Sequence, residues 1–385
     1  MRIGIDASNL RQGGGRTHLI ELLTAADPKR DRIDSVVVWG SQETLDLLPR
    51  RRWLQKIAVA CLEKGFLARM GWQTFALKGE ATKARCDLLI VPGGIFQTRF
   101  RPIVVMCRNM LPFDLTETKR YGVSFKKLRL AILRYFQGRS FKSADGVIFL
   151  TRYAREKIFS SVGQLQGASR IIPHGVNHRF LINNPKPPQK RTTTEKKLKL
   201  IYVSIIDQYK HQWKVVEAVA AARIETDFDL ELHLAGPAYE PSLRKLEAAI
   251  ARHDPGTRWV HYHGNVAYED LPRLYAQAQI GIFASTCENM PNILLETMAA
   301  GLPILCSDRG PMPEVLGKAG VYFDPENPDS MCRQLIALLK AQRTRRRLGL
   351  LARQEAQKYS WDKCAKETFR FCHQVLLRHE NRHSH

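Results

Sequence analysis

No run of eighteen apolar residues occurs in this chain, which excludes an ordinary membrane-spanning helix. No two of its eight cysteines have Cys-x-x-Cys spacing, and several sit in apolar runs. That excludes a zinc knuckle or a disulfide frame and fits reduced, buried thiols, so a cytoplasmic location is expected. There is no Gly-Lys-Ser/Thr, hence no Walker loop, and no Gly-x-Ser-x-Gly elbow. Acid is scarce as well: 37 Asp and Glu stand against 60 Lys and Arg, a net charge of +23.

What is present is a globular composition, 44% apolar over 385 residues, long enough for two cores. The opening Arg2-Ile3-Gly4-Ile5-Asp6 reads as a buried strand rather than a signal peptide. Short apolar runs alternate with helical stretches along the whole chain. Candidate strands are 3–7, 35–40, 87–91, 103–107, 146–151 and 170–173, then 198–206, 230–235, 258–262, 280–284, 303–306 and 320–323. Near-continuous apolar strands separated by helices imply parallel sheets covered on both faces. Between the two groups lies a proline-rich, charged stretch that forms no core. The expected organisation is a Rossmann-like domain over 1–183, a linker over 184–197 and a second Rossmann-like domain over 198–360, with a helix over 361–377 returning to the first.

The charge is concentrated. Residues 119–142 hold eight Lys and Arg and no acid, interleaved with Tyr121, Phe125, Leu128, Leu130, Ile132, Leu133, Tyr135 and Phe136. Arg50, Arg51 and Arg52 precede Trp53, Leu54 and Ile57. Both segments, 119–142 and 50–57, read as basic amphipathic helices for an anionic membrane surface, peripheral on its inner face. A soluble basic surface without a dedicated partner is the plainer alternative. A pI near 9.9 also suits a nucleic-acid binder. No recognition helix, zinc finger or aromatic RNP-like strand accompanies it, so no nucleic-acid partner is expected.

The most informative segment is 284–303. The run Ile280-Gly281-Ile282-Phe283 reads as a buried strand, followed by a small-residue turn carrying Glu288. Pro291-Asn292 then opens a helix with Glu296 in its first turns, ended by Gly301 and Pro303. A strand, a loop and a helix amino terminus make a place for an anion, because unpaired N–H groups and the helix dipole both point there. Two carboxylates beside such a place suit a ligand that also has hydroxyls, such as a ribose or a sugar.

Glu288 and Glu296, followed by Met-Ala-Ala-Gly-Leu-Pro, with Ser307-Asp308 and Pro313-Glu314-Val315 after them, resemble the signature of glycosyltransferase family 4. The resemblance implies an α/β chain of GT-B fold, two Rossmann-like domains with parallel sheets facing across a cleft. It also implies a retaining enzyme that moves a sugar from a nucleotide sugar to an acceptor hydroxyl. It places Glu288 against the transferred sugar, Glu296 against the ribose, and Asn289, Met290, Asn292 and Ile293 as donor-binding groups; Pro291 has no N–H to give. The loop Asn9–His18, with Gly14, Gly15 and Arg16, matches the family's Gly-Gly loop. Lys210, just past a strand end, matches the lysine that neutralises the leaving diphosphate.

Two departures stand out. The family's arginine falls near Ile205, so another cation, such as Arg309, Arg16 or Arg108, must balance the pyrophosphate. Its His-Asp pair is replaced by Arg108-Asn109, neither of which is a base near neutral pH. Arg108 suits a phosphate or an acidic acceptor instead, and the donor phosphate would serve as base. No cofactor and no catalytic metal are expected. The acceptor is expected to be a lipid-linked glycan, a glycolipid or a surface-polysaccharide precursor. The alternatives are a degenerate nucleotide-sugar-binding protein and a GT-B epimerase. Outside the signature, Asp227-Phe228-Asp229 reads as a helix-to-strand turn. His261-Tyr262-His263 puts both imidazoles on one strand face, where they could bind a metal, but no third ligand is apparent and they read as core or rim histidines. Pro173-His174-Gly175-Val176-Asn177 resembles the family's inter-domain hinge.

Overall fold

A computed structural model describes residues 1–11, 13–181 and 197–383. Strands form where β-branched and aliphatic residues run without interruption. In chain order they are β1 (Arg2–Asp6), β2 (Ser35–Gly40), β3 (Leu54–Ala58), β4 (Leu88–Val91), β5 (Ile103–Met106), β6 (Gly146–Phe149) and β7 (Ala168–Ile171). Then come β8 (Lys197–Val203), β9 (Asp229–Ala235), β10 (Val260–Tyr262), β11 (Ile280–Phe283), β12 (Ile304–Ser307) and β13 (Gly320–Phe323). The first seven make one sheet in the order β3-β2-β1-β4-β5-β6-β7, and the last six a second in the order β10-β9-β8-β11-β12-β13. Every pairing within them is parallel. Both orders reverse direction once, between β1 and β4 and between β8 and β11. At such a reversal the loops leaving two neighbouring strands diverge, and a crevice opens outside their carboxyl ends.

The chain divides into two compact units. Unit 1 comprises 1–113, 123–175 and 360–385, and unit 2 comprises 114–122 and 176–359. The expected linker over 184–197 lies outside the described residues except for Lys197, which opens β8, and the two units divide at Gly175/Val176. The short segment 114–122 belongs to unit 2 although unit 1 surrounds it in sequence. Tyr121 holds it there, its hydroxyl donating to Asp207 Oδ1 at 2.9 Å. Arg120 adds ion pairs to Glu117 (2.8 Å) and Glu326 (2.7 Å).

The core of unit 1 joins Ile3, Ile5, Val36, Val38, Ile90, Val104 and Ile148 from the strands to Trp361, Phe369, Phe371 and Val375 from the helix Trp361–His383. That helix packs on the helix Gly14–Ala25. At Gly175 the backbone runs so close to Ser360 and Trp361 that a Cβ would lie 2.1 Å from Trp361 N. Only glycine fits there.

The segment 50–57 is a correction. It is not an amphipathic helix: Leu54–Ala58 is the edge strand β3, paired in parallel with β2. Leu54 is buried and Gln55 exposed, the alternation of a half-covered strand. Lys56 turns its ammonium to Leu48 O at 2.6 Å, and a lysine on an edge discourages further pairing. The run 119–142 is also not one helix. A turn through Gly122, at φ 56°, separates Leu115–Lys119 from the helix Phe125–Ser143, which Ser124 caps by accepting from Lys127 N at 3.2 Å.

Candidate functional site

Unit 2 carries its candidate groups at its reversal point, on the loops leaving β8 and β11. After β8 the chain makes a short turn capped by Asp207, whose carboxylate accepts from Gln208 N at 2.8 Å. It then passes His211 in left-handed backbone, φ 55°, before the helix Gln212–Glu225 begins. The turn is fixed from two sides: Tyr202 donates to Lys210 O at 3.0 Å, and Thr286 N donates to Tyr209 O at 2.9 Å. His211 Nε2 lies 3.1 Å from Thr286 Oγ1. These contacts zip the β8 loop to the β11 loop, and the lysine side chain crosses between them. Lys210 Nζ donates to Glu288 Oε1, with the lysine 7% and the glutamate 16% exposed. The ammonium also sits about 5 Å from the ring centres of Tyr209 and Phe283.

Three further cations gather here. Burial first, then the charges of Arg120, Lys214 and Lys245, push His211 down to about 3, so this imidazole is neutral at physiological pH. Lys245 Nζ donates to Gln208 Oε1 at 2.7 Å on the same turn. Ile205, where the family's arginine would stand, offers a backbone carbonyl to Gln212 and no charge. Arg120, Lys214 and Lys245, none named from sequence as a substitute for the family's arginine, are therefore the cations unit 2 itself brings to this loop. Arg309 is engaged by Asp308 at 2.9 Å and Asp324 at 3.0 Å.

Beyond β11, Asn289 and Met290 are buried on the loop, and the helix Asn292–Ala299 starts at Pro291 without a side-chain cap. Leu295 N bonds to Pro291 O, so the N–H groups of Asn292 and Ile293 lie in the first turn, which has no intrahelical acceptors. Asn292 Oδ1 is buried without a hydrogen bond. Glu296 is 4% exposed. Tyr268 donates to its Oε1 at 3.2 Å, and Oε2 has no hydrogen-bond partner among the described residues. Burial pushes this carboxyl up to about 8, against the smaller opposing effects of Tyr268 and Arg179. A buried carboxylate with an empty oxygen is a costly arrangement in the free protein, and one that a ligand hydroxyl would relieve.

In unit 1 Gly14, Gly15 and Arg16, expected in a loop, form the first turn of the helix Gly14–Ala25, and Arg108 reaches the glycine carbonyls. Its Nη1 donates to Gly15 O at 2.9 Å and its Nη2 to Gly14 O, while Nε is buried and unpartnered. Burial lowers this guanidinium to about 10, which leaves it charged. A Cβ at Gly15 would lie 3.0 Å from Leu10 Cδ2 and 3.3 Å from Arg108 Nη1, so a larger residue there would push both side chains back by a few tenths of an ångström. Arg108 thus stands at the first turn of the helix Gly14–Ala25, and both features favour an anion. Arg16 is paired with Glu43 at 2.6 Å. Asn109 turns its Oδ1 inward to accept from Leu111 N at 3.2 Å, a turn-forming role.

Residues 183–355 match the family described as glycosyl transferases group 1. Among curated proteins, the O-antigen chain mannosyltransferase B of Escherichia coli is 35% identical over 115 residues, 29% of this chain and 30% of that protein. The GDP-mannose-dependent alpha-(1-6)-phosphatidylinositol monomannoside mannosyltransferase of Mycobacterium tuberculosis is 26% identical over 243 residues, 58% of this chain and 60% of that protein. The matches thus span under two thirds of either relative. Among solved structures, a sucrose-phosphate synthase from Thermosynechococcus elongatus superposes with a TM-score of 0.77 at 17% identity, covering 98% of this chain and 100% of that one. With two parallel sheets of Rossmann order and this neighbour, the chain has the GT-B fold, and its residues 183–355 are similar to the group 1 glycosyl transferases.

Proposed function

We propose that the protein is a retaining glycosyltransferase that takes a sugar from a nucleotide donor bound by unit 2 and passes it to an acceptor hydroxyl. One observation carries this reading: the buried Glu296 with an unpartnered oxygen, on the first helix after the loop that holds the Lys210–Glu288 pair. Glu296 would accept from the ribose hydroxyls, and Glu288 would face the transferred sugar. Lys210, with the first turn of the helix Asn292–Ala299, would stabilise negative charge as the diphosphate departs. Arg108 at the glycine loop of unit 1 would serve the acceptor side. The two mannosyltransferase relatives make GDP-mannose the first donor to try.

A panel of UDP, GDP, ADP and their sugars should raise the midpoint of thermal unfolding with one base only. Ligand bound at a hundred times its dissociation constant stabilises by about 2.7 kcal/mol, so a shift of several degrees is expected. No shift with any nucleotide would remove the donor assignment and favour a protein that has lost its ligand.

The acceptor is assigned to a lipid-linked glycan or glycolipid at the inner face of a membrane. No helix among the described residues is long and apolar enough to cross one. On the helix Phe125–Ser143, however, Phe125 (81% exposed), Leu128 (57%), Ile132 (41%) and Tyr135 (63%) make an outward apolar stripe at helical spacing. Lys126, Lys127, Arg129 and Arg134 flank it, and a recess of about 570 Å³ beside it is lined by Arg134, Arg139 and Lys142. Apolar side chains rimmed by cations suit an anionic lipid surface. Flotation with anionic liposomes should carry the protein at low salt and release it at high salt, and Phe125→Glu with Leu128→Glu should abolish flotation. Flotation unchanged in that variant would take the helix out of the membrane reading.

A further inference from the structure

In sequence His261 and His263 read as core or rim histidines for want of a third ligand, and the neighbouring strand β9 places two further ligand types beside His261. The register sets His261 of β10 beside His233 of β9, two residues along from Glu231. One ligand atom each from Glu231, His233 and His261 lie within 4.8 Å of one another, all partly buried. His233 Nε2 is 3.6 Å from Glu231 Oε2, and it is buried without a hydrogen bond. Tetrahedral zinc, with ligands at 2.0–2.2 Å, sets its ligand atoms about 3.4 Å apart, so only a small adjustment separates this pair from a metal-bearing one.

We propose that Glu231, His233 and His261 form a binding site for a divalent transition-metal ion of the zinc class, clamping the edge strand β10 to β9.

The surroundings are those that metal ligands require. The second ring nitrogen of His233, Nδ1, is 2.9 Å from His263 Nε2, so it can donate to that ring and leave Nε2 as the ligand. The second carboxylate oxygen of Glu231, Oε1, accepts from Lys197 Nζ at 2.7 Å, which fixes the carboxylate while Oε2 faces His233. Two imidazoles and a carboxylate make a borderline donor set suited to zinc, cobalt or nickel rather than magnesium or calcium. The site lies within the strands at the sheet's edge. Lys210 and Glu288 follow the carboxyl ends of β8 and β11, so the metal is assigned to holding the strand and not to sugar transfer. The strand it would hold is only three residues long.

The test uses the full-length protein, stripped with a chelator and titrated with Co²⁺, then with Zn²⁺ in competition. One equivalent should bind with visible ligand-field bands and no sulfur-to-cobalt charge-transfer band, and should raise the unfolding midpoint. His233→Asn or His261→Asn should weaken binding on the order of 100-fold, and His263→Asn, which acts only by positioning His233, about tenfold. Lys199 Nζ stands 3.7 Å from Glu231 Oε2 as a competing cation, so Lys199→Met should tighten binding several-fold. Replacing the histidines of the carboxyl-terminal tail by asparagine should change nothing. The proposal fails if cobalt does not bind, if thiolate bands appear, or if His261→Asn binds as the wild type does. Should an asparagine variant not fold, Lys199→Met still decides, because metal held elsewhere would be indifferent to it.

Discussion

Replacing Glu296 with glutamine is expected to make the ligand-free protein more stable at pH 8.5 while weakening its hold on the nucleotide sugar. The ordinary carboxyl value is 4.5, and burial raises this one to about 8. Below 4.5 the folded and unfolded chains both keep the proton. Between 4.5 and 8 the unfolded chain ionises freely while the folded one resists, so stability falls as pH rises through that window and levels off above it. At about 1.4 kcal/mol per pKa unit, the loss is roughly 3–5 kcal/mol. Glutamine does not ionise, so its unfolding midpoint should match the wild type near pH 4.5 and exceed it increasingly toward pH 8.5. Parallel midpoints across that range would mean that the carboxyl is not held protonated by burial.

The same substitution should cost affinity. Ribose hydroxyls donating to the empty Oε2 favour the anion, so donor binding near pH 6.5 should release a proton. Calorimetry in two buffers of different ionisation heat would detect it, and the glutamine variant should release none. Loss of the charge-assisted bonds in Glu296→Ala should weaken binding by about 1.5–3 kcal/mol. Equal affinity would move the ribose elsewhere.

Lys210→Ala is expected to lower kcat by about 10²–10³ with a smaller effect on donor affinity, since negative charge grows on the leaving diphosphate in the transition state. The substitution also strands Glu288, 16% exposed, without its partner. Breaking a buried pair from one side costs about 3–5 kcal/mol of stability, so a drop in activity alone would be ambiguous. The double variant Lys210→Ala, Glu288→Ala separates the two effects. Stability should largely return, because no lone charge remains, while turnover should stay lost. Turnover that returns with stability would reduce the lysine to a structural counter-ion.

Much of the architecture was legible because strand signals are local. Each of the twelve candidate strands has a counterpart displaced by a few residues at most, since uninterrupted runs such as Val36–Trp39 and Leu88–Val91 need nothing distant to declare themselves. The strand Leu54–Ala58 was illegible because Lys56 and three preceding arginines gave it the look of a basic helix, and only its place at the sheet edge explains that composition. Glu288, Glu296 and the helix that carries Glu296 share twenty residues, so their proximity could be read directly. The unpartnered state of Glu296 could not, since it depends on what Tyr268 and Arg179 leave unsatisfied. Likewise Arg120 looked like part of a membrane-facing run. The bond from Tyr121 to Asp207, 86 residues away, carries that segment into unit 2 instead.

The way the chain threads its units bears on how the protein is made. Unit 1 is assembled from three stretches, the last being the helix Trp361–His383, whose Trp361, Phe369 and Phe371 complete the core around Ile3 and Ile5. A ribosome that has finished β7 still has about 200 residues to add before that helix is complete, roughly 10–40 s of synthesis at usual rates. Through that interval the amino-terminal sheet waits with one apolar flank unfilled, while unit 2 can close as soon as Tyr359 has emerged. The half of the protein begun first is the half finished last, so nascent-chain chaperones have their longest opportunity on the first sheet, and truncations that spare every candidate site residue but remove this helix should still fail to accumulate.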